Sequence, residues 1–99
     1  MLNIKKNIEG KKAVFALEGR LDTVTAPELE KVVKEIPDEI TELVLDLEKL
    51  EYISSAGLRV LLSAHKQMAL KDGMKVKNIN EIVSEVFEVT GFSDILDVE

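Results

Sequence analysis

The spacing of apolar residues changes period several times along this chain, and each change marks an element boundary. Leu2, Ile4 and Ile8 alternate with polar positions, Lys6 among them, as an edge strand polar on one side would. Asn7 to Lys12, centred on Glu9-Gly10, is a turn, and Ala13-Val14-Phe15-Ala16-Leu17 reads as a buried strand closed by Gly19. Together these segments predict an antiparallel hairpin. After a loop from Gly19 to Thr25 the period becomes helical. Leu29, Val32, Val33 and Ile36 fall at the i, i+3, i+4, i+7 positions of one apolar stripe. Thr25 and Glu28 are spaced for a capping box, Pro27 suits the first turn, and Pro37 stops the helix.

Leu43-Val44-Leu45-Asp46-Leu47 is an apolar run, short and branched enough for a buried strand, and Glu48 to Ile53 reads as a linker. Ser54-Ser55-Ala56-Gly57-Leu58 then opens an amphipathic stretch to Leu70. Leu58, Leu61, Leu62 and Met68 form its inner face, widened by Val60 and Ala64, against a polar face of Arg59, Ser63, Lys66, Gln67 and Lys71. Gly73 suits the position after that helix, and Met74 to Asn78 alternates as a strand. Asn80 can cap a last helix whose buried set is Ile82, Val83, Val86 and Phe87. Gly91 ends it, Phe92 is placed to fold back on its last turn, and Ile95, Leu96 and Val98 form a short strand or apolar tail. The order β-β-α-β-α-β-α-(β) predicts a single compact α/β domain spanning residues 1–99. Its sheet is mixed but mostly parallel and covered by helices.

Composition narrows the chemistry. A chain of 99 residues with 45% hydrophobic and 32% charged positions is that of one soluble globular domain. The absence of Cys excludes disulfides, thiolate metal sites and a cysteine nucleophile. The opening Met-Leu-Asn-Ile-Lys-Lys lacks the apolar core of a signal peptide, and no run approaches the roughly 20 apolar residues of a membrane span. A cytoplasmic location is expected. Net charge is −6, unevenly spread: residues 81–99 carry only acids, while Arg59, Lys66, Lys71, Lys75 and Lys77 face a single Asp72 within residues 59–77. An acidic whole with one modest basic segment argues against nonspecific nucleic-acid binding and is compatible with a protein partner near the second helix.

Most catalytic constellations are missing. The single His65 lies ten residues into the helix that Ser55 begins, about 15 Å along its axis, too far to act as that serine's base. No Gly-x-Ser-x-Gly elbow, phosphate-binding Gly-x-x-x-x-Gly-Lys or Gly-x-Gly-x-x-Gly occurs, and the carboxylates have no metal-ligand spacing. An enzyme, a cofactor and a metal are not expected. Asp46 as a phosphoacceptor would need Mg²⁺-binding carboxylates just after the first strand, where Lys5-Lys6-Asn7 stand, so a local hydrogen bond is expected of it instead. The start of the Ser54–Leu70 helix is more informative. Its first backbone N–H groups lack internal partners and carry the positive end of the dipole. Either Ser54 or Ser55 can serve as N-cap, Gly57 would keep the helix start open to solvent, and a phosphate on a serine here would meet a favourable field. Asp22 lies in the loop after the second strand. If the third strand runs parallel to the second, Asp22, Thr23 and Thr25 neighbour Ser54 and Ser55 at the carboxyl edge of the sheet.

GRLDTVTAPELE (Gly19–Glu30) and LVLDLEKLEYISSAGLRVLL (Leu43–Leu62) resemble the STAS domain, the sulfate-transporter and anti-sigma-factor-antagonist module. Element order and length extend the resemblance over essentially the whole chain, and stand-alone members of this size resemble bacterial anti-anti-sigma factors. The resemblance implies a phosphorylation-controlled binding protein. In its unphosphorylated form such a protein holds an anti-sigma factor, often a serine kinase, and frees a sigma factor. The kinase phosphorylates a serine at the start of the second helix and a serine phosphatase restores the binding form. The usual motif is Asp-Ser-(Ser/Thr/Ala)-Gly-Leu. Ser55 takes the phosphoacceptor position, with Ser54 as the alternative hydroxyl standing where the family has Asp. Asp22 falls on the family's acidic loop position, and Arg59 stands where many members carry a small residue. The implied contact surface is Asp22, Thr23, Thr25, Ser54, Ala56, Gly57, Leu58 and Arg59. A second reading makes the chain a constitutive STAS subunit of a larger complex, such as a lipid-transport ATPase, never modified at Ser55. A third is an enzyme or nucleotide-binding protein.

Overall fold

A computed structural model describes residues 2–99. Strands β1 (Leu2–Glu9) and β2 (Lys12–Leu21) form the antiparallel hairpin, turning at Gly10 with φ of 62°. Helix α1 (Ala26–Lys34) leads to β3 (Glu42–Ile53), α2 (Ser55–Ala69) to β4 (Gly73–Lys77), and α3 (Glu81–Thr90) through a 3-10 turn to β5 (Asp97–Val98). The sheet order is β1-β2-β3-β4-β5, with every pairing after the hairpin parallel. This is the mixed, mostly parallel α/β architecture that the periodicity predicts.

Burial follows the strand alternation. Ala13, Phe15 and Leu17 of β2, Leu43, Leu45 and Leu47 of β3, and Met74 and Val76 of β4 join one core with the buried residues of all three helices. Val44 is buried outside that cluster, and Val14, Ala16, Asp46, Lys75 and Lys77 are only half-buried. The helices therefore cover one face of the sheet and leave the other open.

The stretch Glu48 to Ile53, read above as a linker, is the second half of β3. Register explains the misreading. Ala16 pairs with Asp46 but Glu18 with Lys49, and Gly19 pairs with Leu50 but Arg20 with Tyr52. Each step places one extra residue on β3, a bulge that resets the alternation. Leu47, Leu50 and Ile53 thus all point inward at a spacing of three, which erases the period-2 signal. Asn80 stabilises this irregular segment. Its side-chain amide donates to Leu50 O at 2.7 Å and, at 3.4 Å each, to Leu47 O and Glu48 O, while its Oδ1 accepts from Val83 N at 2.9 Å and caps α3.

Other helix details depart from expectation. α3 buries Val83 and Phe87 and packs Val86 at the margin, but Ile82 is 57% exposed. The Asn80 cap sets the phase of α3, and one residue before Val83 lies about 100° round the axis, away from the sheet. α2 ends at Ala69, and Gly73, with φ of 100°, turns the chain into β4 rather than terminating the helix. Gly91, with φ of 81°, does end α3, and the Phe92 ring folds back to 6.3 Å from that of Phe87.

Candidate functional site

Because β2 and β3 are parallel and pair Leu21 with Ile53, their carboxyl ends open on the same edge. The loop after β2 and the start of α2 leave side by side, tied by Ser54 N donating to Leu21 O at 2.9 Å. Asp22 organises the loop. Its Oδ1 accepts from Val24 N and Thr25 N, both at 3.0 Å, and from the Thr25 hydroxyl at 3.2 Å. These bonds, that of the Thr25 N–H foremost, outweigh desolvation and hold the Asp22 carboxyl below its ordinary titration range. The single Thr25 hydroxyl proton is shared between that carboxylate and the nearer Arg20 O at 2.8 Å, and its oxygen accepts from Asp22 N at 2.8 Å. Thr25 precedes α1 but its hydroxyl caps nothing, so the capping box expected with Glu28 is absent. The loop carboxylate takes that hydroxyl instead.

The two serines differ. Ser54 is the N-cap of α2, half-buried, with its Oγ accepting from Gly57 N at 3.3 Å. A serine can thus do the capping work of an aspartate at this position, without the charge. Ser55 is the first helical residue, is exposed, and its hydroxyl has no hydrogen-bond partner among the described residues.

Three residues assigned to the contact surface lie inside the protein. Thr25, Gly57 and Leu58 are buried, so they shape the surface without presenting it. Gly57 does not hold the helix start open to solvent. A Cβ there would meet Leu21 Cγ at 2.7 Å and Ile53 Cγ1 at 3.0 Å, so the glycine allows α2 to sit on the ends of β2 and β3. Thr23, Ala56 and Arg59 do share a surface, a shallow groove between α1 and α2 completed by Ala26, Pro27, Glu30 and Val60.

Residues that the sequence reading passed over frame the same edge. The Arg20 guanidinium stacks 4.3 Å above the Tyr52 ring and its Nε lies 3.8 Å from Asp22 Oδ2, while Val24 at the loop tip is 80% exposed. An aromatic and an arginine beside an apolar tip have the character of interface anchors. The available signal was Arg20 and Tyr52 lying just before Asp22 and Ser54, obscured by the linker reading. Asp46 stands apart from the site, with Oδ1 accepting from Glu48 N at 3.1 Å, the local hydrogen bond expected of it. Among the described residues, no three His, Asp or Glu side chains gather to hold a metal, and no helix is long and apolar enough to cross a membrane.

Comparison with known proteins agrees with this architecture. The STAS domain matches residues 2–99. A Bordetella bronchiseptica protein provisionally named an anti-sigma factor antagonist, BtrV, is 38% identical over 87 residues, 86% of this chain and 75% of its own. An anti-sigma factor antagonist from Mycobacterium paratuberculosis superposes with a TM-score of 0.89 at 23% identity, covering 99% of this chain and 85% of its own. SpoIIAA matches in its unphosphorylated form with a TM-score of 0.82 at 19% identity, over 98% of this chain and 88% of its own. The phosphorylated form of SpoIIAA from Bacillus gives 0.76 at 16%, over 98% and 91%. The matched residues run from the first described strand to the last, and the chain belongs to the STAS domain family.

Proposed function

We propose that this chain is an anti-sigma factor antagonist: a binding protein that captures an anti-sigma factor while Ser55 is a free hydroxyl and releases it once Ser55 is phosphorylated. The observation that carries this reading is the division of labour between the serines, Ser54 engaged as a cap and Ser55 exposed and unengaged beside the Asp22 loop. The names of BtrV and of the SpoIIAA structures, one of them of a phosphorylated form, point the same way. The partner is an anti-sigma factor that is itself a serine kinase. It transfers the γ-phosphoryl group of ATP to Ser55 Oγ, the hydroxyl proton passing to a base on the kinase and ADP leaving. A serine phosphatase then hydrolyses the P–O bond with water, returning the hydroxyl and inorganic phosphate. Both chemistries belong to the partners, since His65 is far along α2 and no side chain among the described residues hydrogen-bonds the Ser55 hydroxyl as a base would.

Phosphate would add about −1.5 to −2 charges and three strong acceptors to a small contact surface. The exposed start of α2 accommodates it without refolding, whereas an acidic or apolar partner surface docked there would be repelled and left poorly solvated. Peptide mass spectrometry of the chain captured from native cells tests the proposal. Phosphate on Ser55, with a kinase-like anti-sigma factor recovered mainly on the unmodified form, is the expected result. A tight partner with both serines always bare would overturn it in favour of a constitutive subunit.

A further inference from the structure

We infer that Arg59 is the intramolecular counter-ion for a phosphate on Ser55, so that modification also removes a free cation from the groove beside it. The inference rests on the reading of Ser55 as phosphoacceptor and extends it to how the phosphate acts. Ser55 and Arg59 are four residues apart on α2, which places their Cβ atoms about 5–6 Å apart on one face. Helical side chains lean toward the amino terminus, so a long residue at 59 covers the turn that contains Ser55. Arg59 is exposed and takes part in no ion pair among the described residues. Glu30, the carboxylate that lines the groove with it, lies 3.8 Å from Lys34 Nζ along α1. Position 54 is a neutral serine, so no carboxylate at that position competes for the guanidinium.

The consequence for recognition follows from charge. In the unmodified chain the groove of Thr23, Ala26, Pro27, Ala56 and Val60 carries Glu30, paired with Lys34, and the cation Arg59, in no ion pair among the described residues, which suits a partner side chain ending in a carboxylate beside an apolar contact. A phosphate on Ser55 takes that guanidinium in fork geometry and the partner carboxylate loses its site. Phosphorylation thus acts by repulsion and by withdrawal of a binding group.

The test needs neither kinase nor partner. Phosphoserine is installed at position 55 by genetic encoding, and the second ionisation of the phosphate is followed by ³¹P NMR in the parent, Arg59→Ala, Arg59→Lys and Arg20→Ala backgrounds. The helix field is common to all four and cancels. Phosphoserine titrates near pH 6, and an exposed i, i+4 cation lowers that value by a few tenths of a unit. The expected result is a rise of about 0.2–0.4 unit in Arg59→Ala, a smaller rise in Arg59→Lys, and none in Arg20→Ala. The Arg59 Nε–H resonance should move with the phosphate titration, and the difference should shrink in 1 M salt. Equal titration in the parent and Arg59→Ala, with a stationary Arg59 resonance, overturns the inference. Because the phosphoserine is encoded genetically and needs no kinase, that outcome is separate from a failure to find phosphorylated Ser55 in the cell.

Discussion

Gly57→Ala tests how the site is held together, because its sign depends on one contact. In an ordinary helix position Gly to Ala stabilises by about 1 kcal/mol through backbone entropy. Here the new methyl would lie 2.7 Å from Leu21 Cγ and 3.0 Å from both Leu21 Cδ2 and Ile53 Cγ1. Leu21 is fully buried at 0% exposure, and the closest atom is its branch point rather than a mobile end. Relief therefore requires α2 or β2 to shift, and overpacking of this kind costs about 1–3 kcal/mol. The net expectation is destabilisation by about 1 kcal/mol, a fall in Tm of about 4–8 °C for a domain of this size. Leu21→Ala removes both crowding Leu21 atoms at its own cost of about 2–5 kcal/mol. In that background Gly57→Ala should turn neutral or stabilising, giving an interaction energy of about 1–2 kcal/mol. Urea denaturation of the four proteins, read as midpoints at constant m, gives the cycle. If Gly57→Ala stabilises the parent by its full helix-propensity gain, the close approach is not what the glycine serves and the reasoning fails.

Three further expectations follow from the same edge. Ser54→Ala should cost about 1 kcal/mol through loss of the α2 cap, while Ser55→Ala stays within about 0.5 kcal/mol by calorimetry; equal losses would contradict the assigned roles. Asp22 titrates below its unfolded value, so its stabilisation is fully present above about pH 5 and fades as pH falls through the depressed value. The stability gap between the parent and Asp22→Ala should therefore narrow between about pH 5 and pH 2 in denaturation curves, and a constant gap would refute the carboxylate's role. Asn80→Ala should cost about 2 kcal/mol, from the α3 cap and the bond to Leu50 O together. Asn80→Asp keeps the cap but sets an oxygen against that carbonyl, so a fully stable Asn80→Asp protein would contradict the bridging role.

Elements whose signal is local could be read from the sequence. The hairpin, the three amphipathic helices and the β4 alternation each follow from periodicity within one segment. The placing of the Asp22 loop and the start of α2 at one sheet edge followed from the parallel pairing of β2 and β3, and Ser54 N on Leu21 O ties the two there. What could not be read depends on partners distant in sequence. The two bulges of β3 are defined against β2, so Leu47, Leu50 and Ile53 gave no strand period. The burial of Gly57 depends on Leu21, thirty-six positions away. The Thr25 hydroxyl satisfied the spacing of a capping box, yet Asp22 and Arg20 offered it better partners once the loop closed. Ile82 was misplaced by a single helical step, because the Asn80 cap, anchored to β3, sets the phase of α3.

The central claim is a change of affinity without a change of fold, and it is tested most directly by titrating the captured anti-sigma factor with this chain bearing either serine or phosphoserine at position 55. Calorimetry should give binding at least about 30-fold weaker for the phosphorylated chain, roughly 2 kcal/mol, from like-charge and desolvation costs at the contact. Amide NMR shifts should move only around α2's first turn and the Asp22 loop. Equal affinities for the two forms, or shifts spread through the core, would contradict the account.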